Sequence, residues 1–273
     1  MSTPMRDSVP ESAPDFVPAS VPTSVLILGG TSEASALAGL IAKVGVRAVF
    51  SYAGRVGVPR VQPLPTRVGG FGGVAGLVRY LMDHAITHVV DATHPFAAGM
   101  SRNAVEACAI SGVPLVALTR PEWQPVAGDQ WRVVADIAAA VRALGGPPKR
   151  VFLALGRINL AAFAAQPQHH YLLRLVDRPE VVPLPDCHAI VARGPFDLAG
   201  DTALLQDHKI DLIVCKNSGG GGAEAKLVAA RALGLPALMI ARPVPPKRAE
   251  YHHPQQVLDW LARGDHSGTD RGV

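Results

Sequence analysis

Short apolar runs alternate along this chain with stretches in which apolar residues recur three and four positions apart, and the alternation begins at Ser24. The runs read as buried strands, and the periodic stretches as helices with one apolar stripe. In order they predict strand 25–28, helix 32–43, strand 47–52, a short strand near 66–69, helix 73–84, strand 88–91, helix 98–111 and strand 115–118. A looser piece follows Arg120-Pro121, then a helix over 136–144 that stops at Gly145-Gly146-Pro147-Pro148. The alternation restarts with strand 151–155, helix 158–165, strands 171–175 and 188–192, helix 198–208, strand 211–215, helix 223–233, strand 237–240 and a last helix over 254–262. Strand and helix taking turns predict parallel sheets with helices on both faces. The breaker at 145–148 predicts a boundary between two similar α/β halves, 24–146 and 149–262.

The ends read differently. Residues 1–23 carry Pro4, Pro10, Pro14, Pro18 and Pro22 among Ser, Thr and Ala, and bury too little apolar surface to offset their ordering entropy. They are expected to be a disordered tail, as are residues 263–273.

The first strand runs through Gly29-Gly30 straight into a helix, with Thr31 or Ser32 as N-cap and Glu33 in the first turn. Such a turn aims unpaired backbone N–H groups and the positive end of a helix dipole at one spot, which suits a phosphate. Against the dinucleotide fingerprint G-x-G-x-x-G/A, Gly29 and Ala34 fit the end positions and Thr31 replaces the middle glycine. A nucleotide turn and a plain strand-to-helix turn both fit that partial match.

Composition narrows the function classes. The chain is 48% hydrophobic and only 5% aromatic, a globular α/β profile. No apolar run approaches the roughly 18 residues that span a bilayer, and the start lacks a signal-peptide layout, so a soluble cytoplasmic protein without a membrane partner is expected. A net charge of +4 suits an acidic small molecule. Lys and Arg are scattered without interleaved aromatics, which argues against nucleic acid. Cys108, Cys187 and Cys215 are far apart and read as inert thiols, while the adjacent pairs His169-His170 and His252-His253 point apart on regular elements, so no metal site is expected.

Four places carry candidate chemistry. After the second strand, where an acid would meet the ribose hydroxyl of NAD, the chain has Ser51 and Arg55, which suit the 2'-phosphate of NADP. The alternative for Arg55 is a solvated loop arginine. The strand Val89-Val90-Asp91 runs into Ala92-Thr93-His94-Pro95-Phe96-Ala97 at the carboxyl edge of a sheet, where His94 has an ordinary pKa near neutrality and could give a proton or orient a substrate. Equally, Asp91 and Thr93 could cap the next helix and His94 be structural. In the second half, Leu155-Gly156-Arg157 is another strand-to-helix turn, and Cys215-Lys216-Asn217-Ser218 feeds four glycines, 219–222, which read either as an anion nest or as a flexible connector.

Together, Leu28-Gly29-Gly30-Thr31-Ser32-Glu33-Ala34, Asp91-Ala92-Thr93-His94-Pro95-Phe96-Ala97, Gly156-Arg157, Lys216-Asn217-Ser218-Gly219-Gly220, Lys226 and Ala230-Arg231-Ala232-Leu233-Gly234-Leu235-Pro236 resemble the precorrin-6A reductase family of cobalamin biosynthesis over about residues 24–262. The resemblance implies two Rossmann-like domains, the first for coenzyme and the second for substrate. It implies NADPH as coenzyme and a carboxylate-fringed tetrapyrrole as substrate, with one carbon-carbon double bond of precorrin-6A reduced to give precorrin-6B. Gly29, Gly30, Thr31, Ser32, Ser51, Arg55, Ala92 and Thr93 would then hold the coenzyme, and His94 would sit beside the reacting face. Arg157, Lys216, Asn217 and Ser218 would meet the substrate, with hand-over to neighbouring pathway enzymes. The run of four glycines is longer than the family pattern, which puts more weight on Lys216 to Ser218 than on the loop beyond.

Other readings make different demands. A short-chain dehydrogenase needs Tyr-x-x-x-Lys, and Tyr52, Tyr80, Tyr171 and Tyr251 are followed at that spacing by Val56, His84, Leu175 and Gln255. The cobalt-precorrin-6A reductase of the anaerobic branch, and a non-catalytic protein that binds NADP or a tetrapyrrole, are the alternatives.

Overall fold

Alternate residues of the first strand serve two different cores. In β1 (Ser24–Leu28), Val25 and Ile27 belong to one cluster and Leu26 and Leu28 to another, and every residue is buried. A strand covered on both faces has no polar side, which is why its run is unbroken. On the first face lie α1 (Ser32–Val44), through Ala34, Leu37, Ala38 and Ile41, and α7 (Pro254–Gly264), through Val257 and Leu261. On the other lie α2 (Gly73–Asp83) and α3 (Ala98–Ser111). The computed structural model of the chain describes residues 22–54, 59–177 and 181–264. Arg55 and nearly all of the two tails expected at 1–23 and 263–273 lie outside the described residues.

The first sheet adds β2 (Arg47–Tyr52), β3 (Thr66–Val68), β4 (His88–Asp91), β5 (Leu115–Leu118) and β12 (Ala249–Tyr251), in the order β12-β5-β4-β1-β2-β3. The second contains β6 (Trp131–Val134), β7 (Arg150–Ala154), β8 (His170–Leu175), β9 (Cys187–Val191), β10 (Leu212–Lys216) and β11 (Ala237–Ile240), in the order β6-β11-β10-β7-β8-β9. Every pairing in both sheets is parallel. The second sheet has α4 (Ile137–Ala143) and the 3₁₀ segment Arg157–Ala165 on one face, and α5 (Leu198–Asp207) and α6 (Ala225–Ala232) on the other. The α/β class with two Rossmann-like sheets follows directly.

The chain changes sheets elsewhere than the breaker at 145–148 predicts. β6 and α4 belong to the second sheet, and β12 and α7 cross back to the first. Gly145 to Pro148 only ends α4. Both transferred strands are short sheet edges with partly exposed residues, reading Trp-Arg-Val-Val and Ala-Glu-Tyr, so neither shows the apolar run that marks a buried strand.

The exchange is reciprocal, and it makes the halves two copies of one plan. Across the first sheet Leu28, Asp91 and Ala117 stand level; across the second, Ala154, Cys215 and Met239 do. The exchanged strands also match, with Tyr251 beside Leu118 and Val134 beside Ile240. No helix among the described residues is long and apolar enough to cross a membrane.

Candidate active site between the two sheets

From β1 in the first sheet and β7 in the second, the chain runs outward on one side and then returns on the other, leaving a crevice at the carboxyl ends where ligands bind in open α/β sheets. The first crevice lies between β1 and β4, flanked by residues 29–31 and 92–97; the second lies between β7 and β10, flanked by residues 155–157 and 217–220. The two face one another. His94 Nε2 is 3.1 Å from Ser218 Oγ, the Lys216 ammonium is 5.0 Å from the centre of the Phe96 ring, and Phe96 packs against the core of the second half.

At the first turn a Cβ on Gly29 would lie 2.2 Å from the Phe50 ring, so this position admits only glycine, and Gly30 has a positive φ of 128°. Thr31 is the N-cap of α1: its hydroxyl accepts from Ala34 N at 3.1 Å and donates to the carbonyl of Ala92 at 2.9 Å. Thr31 thus ties the two strands that form the crevice, which explains a side chain where the fingerprint has glycine. Ser32 is exposed beside Glu33 and donates to its carboxylate at 3.0 Å.

Ser51 is buried at the end of β2, and its hydroxyl receives a hydrogen bond from Nη1 of Arg67 at 2.8 Å. Sequence reading missed Arg67. It sits beside Ser51 in the β2–β3 register, donates to the carbonyls of Gly69 and Gly70 at 2.9 and 3.1 Å, and stacks 3.8 Å over the Phe71 ring. The signal was available only through pairing, because Arg67 is a single cation on a three-residue strand.

Asp91 caps no helix; α3 begins at Ala98 without a side-chain cap. Instead its buried carboxylate accepts from Thr93 N at 3.1 Å, from the Thr93 hydroxyl at 2.7 Å and from Ser101 Oγ at 2.6 Å, and forms an ion pair with Arg248. Thr93 is therefore occupied in shaping the loop that carries His94. The His94 ring accepts from Phe96 N at Nδ1, 3.2 Å away, which leaves the proton on Nε2, facing Ser218. Burial, then the cations of Arg120, Lys216 and Arg242, push the His94 pKa down to about 3. The near-neutral value expected from its residue type is thus corrected: His94 is an uncharged hydrogen-bond donor at neutral pH.

The motif after β10 is a clasp on the crossing chain. Asn217 is buried and brackets Trp123, accepting from its N–H at 2.9 Å and donating to its carbonyl at 3.1 Å. A Cβ on Gly219 would lie 2.0 Å from the Pro121 carbonyl oxygen, so the first glycines of the run let the crossover pass. Arg242 joins the same knot, donating to the carbonyls of Asn217, Arg120, Pro121 and Ser218 at 2.8, 2.8, 3.2 and 3.1 Å. Lys226 is buried under the Trp123 ring with its ammonium on the Ala223 carbonyl, and burial lowers its pKa. Arg157, exposed at the start of its 3₁₀ segment, lies on the opposite rim of the second crevice. Among the described residues no three His, Cys, Asp or Glu side chains are grouped to hold a metal; His169 is a core residue held by Lys149 N and the Leu144 carbonyl.

The family description precorrin-6x reductase CbiJ/CobK matches residues 24–262. The chain belongs to that family. It is 59% identical over 252 residues to the precorrin-6A reductase of Rhodobacter capsulatus, covering 92% of this chain and all of that one. A solved structure titled CobK precorrin-6A reductase superposes with a TM-score of 0.86, at 59% identity and the same coverage. The cobalt-precorrin-6A reductase of Priestia megaterium is 28% identical, over 80% of this chain and 90% of that one. The chain is thus an oxidoreductase of the family.

Proposed function

We propose that the chain reduces one carbon-carbon double bond of metal-free precorrin-6A with NADPH, giving precorrin-6B, in the cytoplasm. The observation that carries the reading is the His94–Ser218 contact, which sets a nucleotide-type crevice directly against a second crevice rimmed with cations. NADPH, when bound, supplies the hydride. The glycine turn and N-terminus of α1 suit its diphosphate, and the Ser51–Arg67 pair, with no acid beside it on β2, suits a 2'-phosphate. Arg157 and Lys216 stand where substrate carboxylates would arrive. Exposed Ile158, Val176, Val191 and Leu198 follow or end β7, β8 and β9 or begin α5, giving the same rim an apolar surface for a macrocycle.

Roles then divide by what each side chain touches. Asn217 and Thr31 act as positioning residues, since their polar groups are spent on the chain itself. His94 donates from a neutral imidazole and holds the two rims together, and the proton that completes the reduction comes from solvent. The metal-free substrate is favoured because identity is about twofold higher to a relative named for it, at 59%, than to relatives named for the cobalt form, at 28% to 30%.

The test mixes the purified chain with NADPH and metal-free precorrin-6A, and follows the coenzyme band and the macrocycle spectrum together. Coupled loss of NADPH and a shifted macrocycle spectrum are expected. Binding of both without turnover would move the function to carriage or sensing, and turnover of the cobalt form alone would move it to the anaerobic branch.

A further inference from the structure

The reciprocal plan pairs two arginines, and they are used differently. Arg120 lies three residues beyond Ala117 and Arg242 three beyond Met239, so they are equivalent positions, each followed by proline where the chain leaves its sheet. Arg242 spends its guanidinium on four backbone carbonyls. Arg120 makes no such clamp. Its Nη1 is 3.5 Å from the Glu33 carboxylate, its Nε is buried with no hydrogen-bond partner among the described residues, and its side chain is 15% exposed. A Cβ on Gly220 would lie 2.6 Å from its Cδ, so the stem rests in a notch that only glycine leaves. A cleft of about 380 Å³ opens beside it, lined among others by Pro95, Arg120, Arg242 and Arg248.

We propose that Arg120 receives a ligand oxyanion at the juncture of the two crevices, and that Glu33 is the internal partner this oxyanion displaces. A guanidinium cannot shed its charge, so a buried N–H without an acceptor is a standing cost that an incoming oxygen removes. Glu33 is in the first turn of α1, at the helix end that favours anions and beside the turn proposed to take the diphosphate. It competes for Arg120 and repels what would replace it. The two residues therefore act with opposite sign on affinity. The inference rests on the NADPH and tetrapyrrole reading above, and the oxyanion can belong to the coenzyme diphosphate or to a substrate carboxylate.

The experiment measures the Kd for NADP⁺ without substrate, and the KM for precorrin-6A at saturating NADPH, in wild type, Arg120→Gln, Arg120→Lys and Glu33→Gln, with thermal midpoints as a folding check. If the coenzyme supplies the oxyanion, Arg120→Gln weakens NADP⁺ about tenfold or more, Arg120→Lys recovers part of that, and Glu33→Gln tightens it about threefold. If the substrate supplies it, the same pattern appears in KM while the NADP⁺ Kd stays put. Arg120→Gln within about twofold of wild type on both ligands overturns the proposal, as does Glu33→Gln weakening either ligand in step with it, the mark of a structural ion pair. Should Arg120→Gln fail to fold, Glu33→Gln decides alone: no tightening of either ligand overturns the idea. Wild type that binds NADP⁺ without turnover would instead sink the reductase reading and leave the NADP⁺ arm readable.

Discussion

His94 and Ser218 occupy the same position in two copies of one fold, three residues beyond Asp91 and Cys215 respectively, and their side chains meet at 3.1 Å. The two copies therefore meet through equivalent positions of their crevices. A contact between the two rims fixes the distance between the crevices, so it controls how two bound ligands would be aligned.

The protonation of His94 gives a signed prediction. Its pKa falls from 6.5 to about 3 on folding, so between those values the unfolded chain binds more protons than the folded one. Stability from this group is complete above about pH 6.5 and is lost as pH falls towards 3. Denaturant midpoints measured across that window should fall more steeply for wild type than for His94→Gln, which keeps a donor for Ser218 without the titration. Parallel slopes would show that His94 is protonated in the folded protein.

Arg67 should set coenzyme choice. It shares the Ser51 hydroxyl at the end of β2, and a charged hydrogen bond of this kind contributes roughly 1.5 to 3 kcal/mol, about tenfold to a hundredfold. Arg67→Ala should lower the ratio of NADPH to NADH efficiency by that factor while leaving NADH nearly unchanged. An unaltered ratio would remove the pair from the phosphate site.

Asn217 makes a prediction about folding. Asn217→Ala deletes both partners of the Trp123 backbone and leaves a buried N–H and carbonyl unpaired, at about 1 to 3 kcal/mol each. The thermal midpoint should drop by several degrees, and Trp123 fluorescence should shift with it. A direct substrate ligand would instead leave stability intact and raise KM alone.

Much of this was legible in the sequence because buried parallel strands announce themselves as short, mainly apolar runs, and the eight inner strands of the two sheets do so here. The exchanged edges β6 and β12 were not, since an edge strand needs no such run. Gly29 and the Asp91–Ala97 loop were visible as motifs. The jobs of Asn217 and Thr31 were not, because a motif shows which residues recur and cannot show whether their polar groups face a ligand or the chain. Thr119-Arg120-Pro121 and Ala241-Arg242-Pro243 were a usable signal, an internal repeat marking both crossovers, but a single shared dipeptide gains meaning only once the sheets align it.

Asp91 and Arg248 offer the sharpest separation of fold from function. The carboxylate is 1% exposed and the guanidinium 10%, and Arg248 comes from the segment that returns to the first sheet, so the pair joins the crossover to the strand that leads into the His94 loop. Removing one partner of a buried pair strands the other, at about 3 to 5 kcal/mol, whereas replacing both by apolar side chains of similar volume is often neutral. Arg248→Met alone should therefore unfold the chain at markedly lower denaturant. The double variant Asp91→Leu with Arg248→Met should recover part of the midpoint but none of the turnover, because Thr93 and Ser101 lose the acceptor that shapes the His94 loop. Recovery of both stability and turnover would show that the loop holds its shape without Asp91.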